Sequence, residues 1–189
     1  MSPSFLADIA FPDLPTWSEL SVGLLILRVV VGLTLASHGW NKFFGGGKIA
    51  GTGRWFDSMG MRPGKVHALA AASTELGGGV LFALGLLTPL AAAGMVGVMV
   101  VAGWTSHRTK GFFIVKSGWE YNLVLATVAV GVATTSPGQF SLDWALGLTP
   151  AFDPVVGLVV SAGLGLAAGI GLILACYRPP APPEPGTER

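Results

Sequence analysis

The chain has 189 residues, 51% of them hydrophobic and 11% charged, with a mean hydropathy of +0.65. Soluble domains carry about 25% charged residues, so this composition excludes an ordinary water-soluble globule and leaves an integral membrane protein. The 11 Lys and Arg nearly balance the 10 Asp and Glu, which excludes the clustered basic footprint of a nucleic-acid-binding protein.

Residues 1–19 lack a basic leader and a small-residue cleavage site. Phe5, Phe11 and Trp17, interrupted by Pro12 and Pro15, predict an interfacial stretch on the extracytoplasmic leaflet. A membrane helix needs about 20 mostly apolar residues. The first such run is 20–37. The apolar run that begins near Val66 and continues to Trp104 is too long for one crossing. Thr88-Pro89 divides it, because proline suits the first turn of a new helix, giving spans 66–87 and 89–106. A fourth span is predicted at 119–135 and a fifth at 154–177. The 178–189 tail holds five prolines and reads as disordered. Together these predict an all-α polytopic membrane helix bundle.

Charge placement orients it. The loop after the first span carries Lys42, Lys48, Arg54, Arg62 and Lys65, and the loop after the third carries Arg108, Lys110 and Lys116. The opposite side receives Asp8, Asp13, Glu19, Asp143 and Asp153, with no Lys or Arg. Under the positive-inside rule the expectation is a multi-pass protein of a bacterial plasma membrane, with the N-terminus outside and the C-terminus cytoplasmic.

Two ionisable residues fall deep in these spans. If the first span starts near Leu20 and the second near Val66, Arg28 and Glu75 lie at similar depth at about 1.5 Å per residue. Burying either charge alone costs about 2.5–3.5 kcal/mol on insertion scales, so direct pairing is the cheapest remedy. Such a pair either braces the bundle or forms a polar site that binds or protonates a lipophilic ligand such as a quinone. A second constellation gathers at the cytoplasmic mouth: His38 and Lys42 end the first span, His67 opens the second, His107 ends the third, and Glu120 and Tyr121 open the fourth. Histidine and carboxylate serve metal binding or proton relay. With no i,i+3 or i,i+4 ligand pair, no metal site is expected, and bis-histidine haem is not expected either.

Gly157, Ser161, Gly165 and Gly169 recur at every fourth position of the last span, a small-residue face suited to close helix packing within the monomer or with a partner. Gly77, Gly78 and Gly79 follow Glu75 and would admit a neighbouring helix. Gly45-Gly46-Gly47 reads as a flexible elbow, without the GxxxxGK[ST] pattern of a phosphate loop. The single cysteine, Cys176, excludes an intramolecular disulfide and a CxxC motif.

In order along the chain, LRVVVGLTLASHGWNKFF with Arg28, Gly39 and Lys42, STELGGGVLFALGLLTPLAA with Glu75, Gly79 and Gly85, GFFIVKSGWEYNLVL with Glu120 and Tyr121, and PGQFSLDWALG with Ser141 and Asp143 resemble the DoxX family of small bacterial membrane proteins. The resemblance covers residues 20–147 and implies a four-helix transmembrane domain, to which 154–177 adds a fifth helix and 178–189 a cytoplasmic tail. It implies association with membrane redox complexes concerned with oxidative stress and thiols, and it makes Arg28, Lys42, Glu75 and Glu120 the charged motif residues. The expectation is an anchoring or quinone-contacting subunit with protein partners, no confidently bound cofactor and lipid around it. The alternatives are a non-enzymatic scaffold or assembly subunit and, further off, a proton-coupled small transporter.

Overall fold

The computed structural model describes residues 17–179. The interfacial reading of 1–19 therefore lies outside the described residues except for Trp17–Glu19, and the tail reading except for Arg178 and Pro179. The described chain is helical, with no strand beyond an isolated bridge between Met61 and Tyr177.

Helix α1 (Trp17–Phe44) has 28 residues, about 42 Å long. It outruns a hydrocarbon core of about 30 Å and continues well past the predicted boundary at Ser37. Helix α2 (Lys48–Met59) follows where the sequence suggested only a glycine elbow. It packs on the start of α3 (Gly64–Leu84), where Gly53 meets the Lys65 backbone and Gly64 N donates to Asp57 Oδ1 at 2.7 Å. Helix α4 (Thr88–Ala102) has Pro in its first turn, as the division at Thr88-Pro89 requires. It runs on through a π-helical turn, Gly103–His107. Helix α5 (Glu120–Thr135) and the short α6 (Leu142–Ala145) precede α7 (Pro154–Leu158), which passes through a second π-helical stretch, Val159–Leu164, into α8 (Gly165–Cys176).

Four of these helical runs are long and apolar enough to cross a membrane: Trp17–Phe44, Gly64–Leu84, Thr88–Lys110 and Pro154–Cys176. Helix α5, with 16 residues, is about 24 Å long and falls short by length alone. Its ends nevertheless meet both ends of the bundle. Near its start the 107–118 loop is tied by His107 Nδ1 to the Ser117 carbonyl at 2.7 Å, and near its finish Ala133 lies against Gly157.

The two ends differ in charge. At the basic end, α2 with Lys48 and Arg54 meets the loops holding Arg62, Arg108, Lys110 and Lys116. Ser106 Oγ donates to Met59 Sδ at 3.2 Å, and Arg178 N donates to the Gly60 carbonyl at 2.8 Å. At the other end Gln139 N donates to Ser21 Oγ at 3.1 Å. Between the ends, Leu24, Leu35, Phe82, Met95, Leu125 and Val132 form a buried core. The flanks, with Ile26, Val30, Leu33, Val66 and Leu174 exposed, present the apolar surface a hydrocarbon phase requires.

Candidate functional site

The site is built on the seam between α1 and α3. A Cβ at Gly32 would lie 2.5 Å from the Gly79 carbonyl oxygen and 2.7 Å from Ala83 N, and one at Gly39 would lie 2.7 Å from the Ala72 carbonyl oxygen. Small residues at these positions let the two backbones touch, which is how membrane helices associate without a hydrophobic driving force between them. The contacts also set the antiparallel register. Gly32 faces Gly79 and Ala83, while Gly39 faces Ala72 and Leu76.

In that register Arg28 and Glu75 do not meet, contrary to the pairing expected from their spacing. Arg28 falls level with Gly85, and Glu75 level with His38. The ten-residue step from position 28 to position 38 of α1 separates their backbone levels by about 15 Å. The first apolar residue of each run does not mark a common depth, because both helices begin earlier and α1 ends much later.

Arg28 is completely buried at the end away from the basic loops. Its guanidinium donates to the Phe140 carbonyl at 2.6 Å and the Ala83 carbonyl at 3.3 Å, fastening the 136–141 segment over the end of α3. Gly85, at φ +64°, makes room for it: a Cβ there would collide with the guanidinium and with Ser141. Beside it, Asp143 is also completely buried. Its carboxylate accepts from Leu87 N at 2.7 Å, Thr88 N at 2.9 Å and Thr88 Oγ1 at 2.7 Å. By charge placement along the chain, Asp143 falls among the acids of the outer face. It caps α4 from a distant segment, satisfying N–H groups that every helix start leaves open. A signal existed, because Leu87 before Thr88-Pro89 offers no capping side chain of its own.

Glu75 is paired with Lys42, whose Nζ lies 2.6 Å from Glu75 Oε2; the side chains are 7% and 18% exposed. His38, one turn before Lys42, is within electrostatic reach of the Glu75 carboxylate. Its ring lies 6.2 Å from that of Tyr121 on α5. Carboxylate, ammonium, imidazole and phenol thus gather from α1, α3 and α5, with Glu75 buried and His38 exposed on the flank of the bundle.

The remaining mouth residues serve their own loops. His67 Nε2 donates to the Arg62 carbonyl at 3.2 Å. Glu120 Oε2 accepts from Ile114 N at 2.9 Å, shaping with His107 the 108–118 loop. The small-residue face of the last span is turned inward. Gly157 lies on Ala133, Ser161 is buried with its hydroxyl on the Gly157 carbonyl, Gly165 lies on Ala93 and Val96, and Gly169 on Gly97 and Val100.

The DoxX family model matches residues 23–108, the stretch holding Arg28, His38, Lys42 and Glu75. The chain is 28% identical over 122 residues to the inner membrane protein YqjF of Escherichia coli, covering 65% of this chain and 90% of that protein. It is 30% identical over 125 residues to "Putative oxidoreductase CatD" of Bacillus subtilis, covering 66% of this chain and 87% of that protein. No solved structure matches the chain. The protein is an integral membrane protein that belongs to the DoxX family.

Proposed function

We propose that the protein is a quinone-contacting subunit of a redox complex in a bacterial inner membrane, oriented with its basic end in the cytoplasm and residues 20–147 forming the functional domain. The observation that carries this reading is the Lys42–Glu75 ion pair inside an apolar bundle, with His38 and Tyr121 beside it. Intramembrane ionisable residues are costly and are characteristic of proton and substrate sites. The names of YqjF, an inner membrane protein, and CatD, described as an oxidoreductase, lend support to location and chemical class.

The residues suit that ligand. A quinone supplies a lipophilic ring whose carbonyl oxygens take up protons as electrons arrive. His38 and Tyr121 carry hydrogen-bond donors on the flank of the bundle, within reach from the lipid side. Lys42 holds the carboxylate of Glu75 in place and supplies a positive charge for negative charge developing at a carbonyl oxygen. Glu75 takes up and returns protons while Lys42 keeps its own charge. With one cysteine in the chain and no nucleotide-binding pattern, the electrons come from a partner protein.

The test uses cells making stable wild-type, Glu75→Gln or His38→Ala protein at equal levels. Quinone reduction by their membranes and resistance to oxidants fall in both variants if the site works this way. Unchanged quinone reduction and unchanged resistance in both overturn the reading. Of the two features that favour the scaffold alternative, the acidic outer face and the small-residue stripe, the stripe is occupied by α4 and α5 of the same chain.

A further inference from the structure

An apolar groove of about 660 Å³ runs between α4, α5 and α8 and opens at the basic end. Its depth is lined by Val96, Ala126, Leu166 and Ile170, and its mouth by Trp104, Arg108, Trp119 and Asn122. From Val96 to Trp104 is eight residues, about 12 Å, so a chain entering at the mouth passes from polar and aromatic groups into purely aliphatic surroundings. We propose that this groove binds an anionic phospholipid of the basic-end leaflet, its phosphate on Arg108 and one acyl chain between the helices.

Three observations select that occupant. First, Arg108 lies over the Trp104 ring, 4.2 Å from its centroid. This cation–π arrangement leaves the N–H edge of the guanidinium without a partner among the described residues, and that fork matches phosphate oxygens. Among the described residues no carboxylate is within ion-pairing distance of Arg108. Lys110 and Lys116, on the same exposed loop, add positive charge that draws anionic headgroups.

Second, the mouth is shaped by the π-helical turn. Arg108 N bonds back to the Gly103 carbonyl, five residues earlier, and this widened turn sets Arg108 above Trp104. Such turns occur often at functional sites.

Third, the polar side chains stand together at one end of an otherwise apolar lining. Asn122 is buried at the level of Gly103, and among the described residues its amide reaches only the Met99 sulfur at 3.6 Å, a weak acceptor. Its position below Arg108 suits an ester carbonyl below a phosphate. Trp119, braced edge-on by Phe112 at 4.9 Å, supplies the amphipathic ring favoured at the membrane interface. A neutral isoprenoid would leave the Arg108 fork unused.

The experiment reconstitutes the full chain in nanodiscs containing equal phosphatidylglycerol and phosphatidylcholine, then reads retained lipid by native mass spectrometry. The wild type is expected to keep phosphatidylglycerol about tenfold over phosphatidylcholine, as one charge-assisted contact implies. Arg108→Gln abolishes the preference, Arg108→Lys keeps part of it, and Ala126→Trp, which fills the depth, reduces retention of both lipids. Because Arg108 is exposed, its variants should fold as the wild type does. Equal retention of the two lipids by the wild type overturns the proposal. So do an undiminished preference in Arg108→Gln, a neutral lipophile held in place of phospholipid, and a lipid-free dimer closing the groove.

Discussion

Lys42 Nζ donates to Glu75 Oε2 at 2.6 Å, joining the last turn of α1 to the middle of α3. The pair exists because Gly32, Gly39 and Gly79 bring the two backbones into contact and fix their register. The lysine stem then runs back along the seam to a carboxylate more than one turn deeper than the ammonium's own Cα. Site and fold are thus one feature: the residues that allow the close approach also decide which charges meet.

Removing one partner leaves the other charge in an apolar setting, at a cost of about 3 kcal/mol, the low end for buried pairs because Lys42 retains some exposure. Glu75→Gln and Lys42→Gln should each lower the thermal stability of the detergent-solubilised protein. The Lys42→Gln/Glu75→Gln double variant should be more stable than the sum of the single losses. Strict additivity in that double-mutant cycle would deny the coupling.

Arg28 tests whether a charge or a planar fork is needed at the opposite end. Its two terminal nitrogens reach two different carbonyls, on Ala83 and Phe140. A lysine retains the charge but is a point donor without that geometry. Arg28→Lys should therefore cost about 1–3 kcal/mol and loosen the 136–141 segment, seen as faster amide exchange at Gln139 and Phe140. Wild-type exchange there would show that charge alone suffices.

The Asp143 cap is expected to be more sensitive than an ordinary one. Three donors converge on one completely buried carboxylate, whereas a typical cap is worth about 1 kcal/mol. Asp143→Ala should cost about 3 kcal/mol or more. Asp143→Asn should cost less, because its one acceptor oxygen still serves part of the set. Urea or thermal unfolding in detergent measures both, and an Ala variant as stable as the Asn variant would remove the carboxylate from this role.

The fold was legible where hydropathy alone decides it. The all-helical bundle, the break at Thr88-Pro89 and the apolar last span all follow from run length and proline placement. What the sequence concealed depended on registers between helices. Arg28 and Glu75 look alike in a linear reading, two charges in apolar runs, and only the contact of Gly32 with Gly79 separates them. The α2 helix was hidden because the GGG segment suggested a loop and no long apolar run marks an interfacial helix. Of the six mouth residues, three converge with Glu75 and three stitch their own loops. That division rests on side-chain contacts between helices and within loops, which share no sequence pattern. The groove at Arg108 was invisible because its walls come from three separate spans.

The small-residue face of the last span yields the sharpest test of packing. A Cβ at Gly165 would stand 2.7 Å from Val96 Cβ and 2.8 Å from the Ala93 carbonyl oxygen. At Gly169 it would stand 2.9 Å from Val100 Cβ and 3.0 Å from the Gly97 carbonyl oxygen. Those neighbours belong to α4 of the same chain, partly backbone, and cannot swing aside as a flexible side chain would. Overpacking of this kind costs about 1–3 kcal/mol per site, so Gly165→Leu and Gly169→Leu should each destabilise the isolated monomer in detergent. By pushing α8 from α4 they should also splay the groove at Arg108. Thermal unfolding of the monomeric fraction reads the first effect and lipid retention the second. A face reserved for a partner would behave otherwise, leaving monomer stability untouched and altering only the oligomeric state.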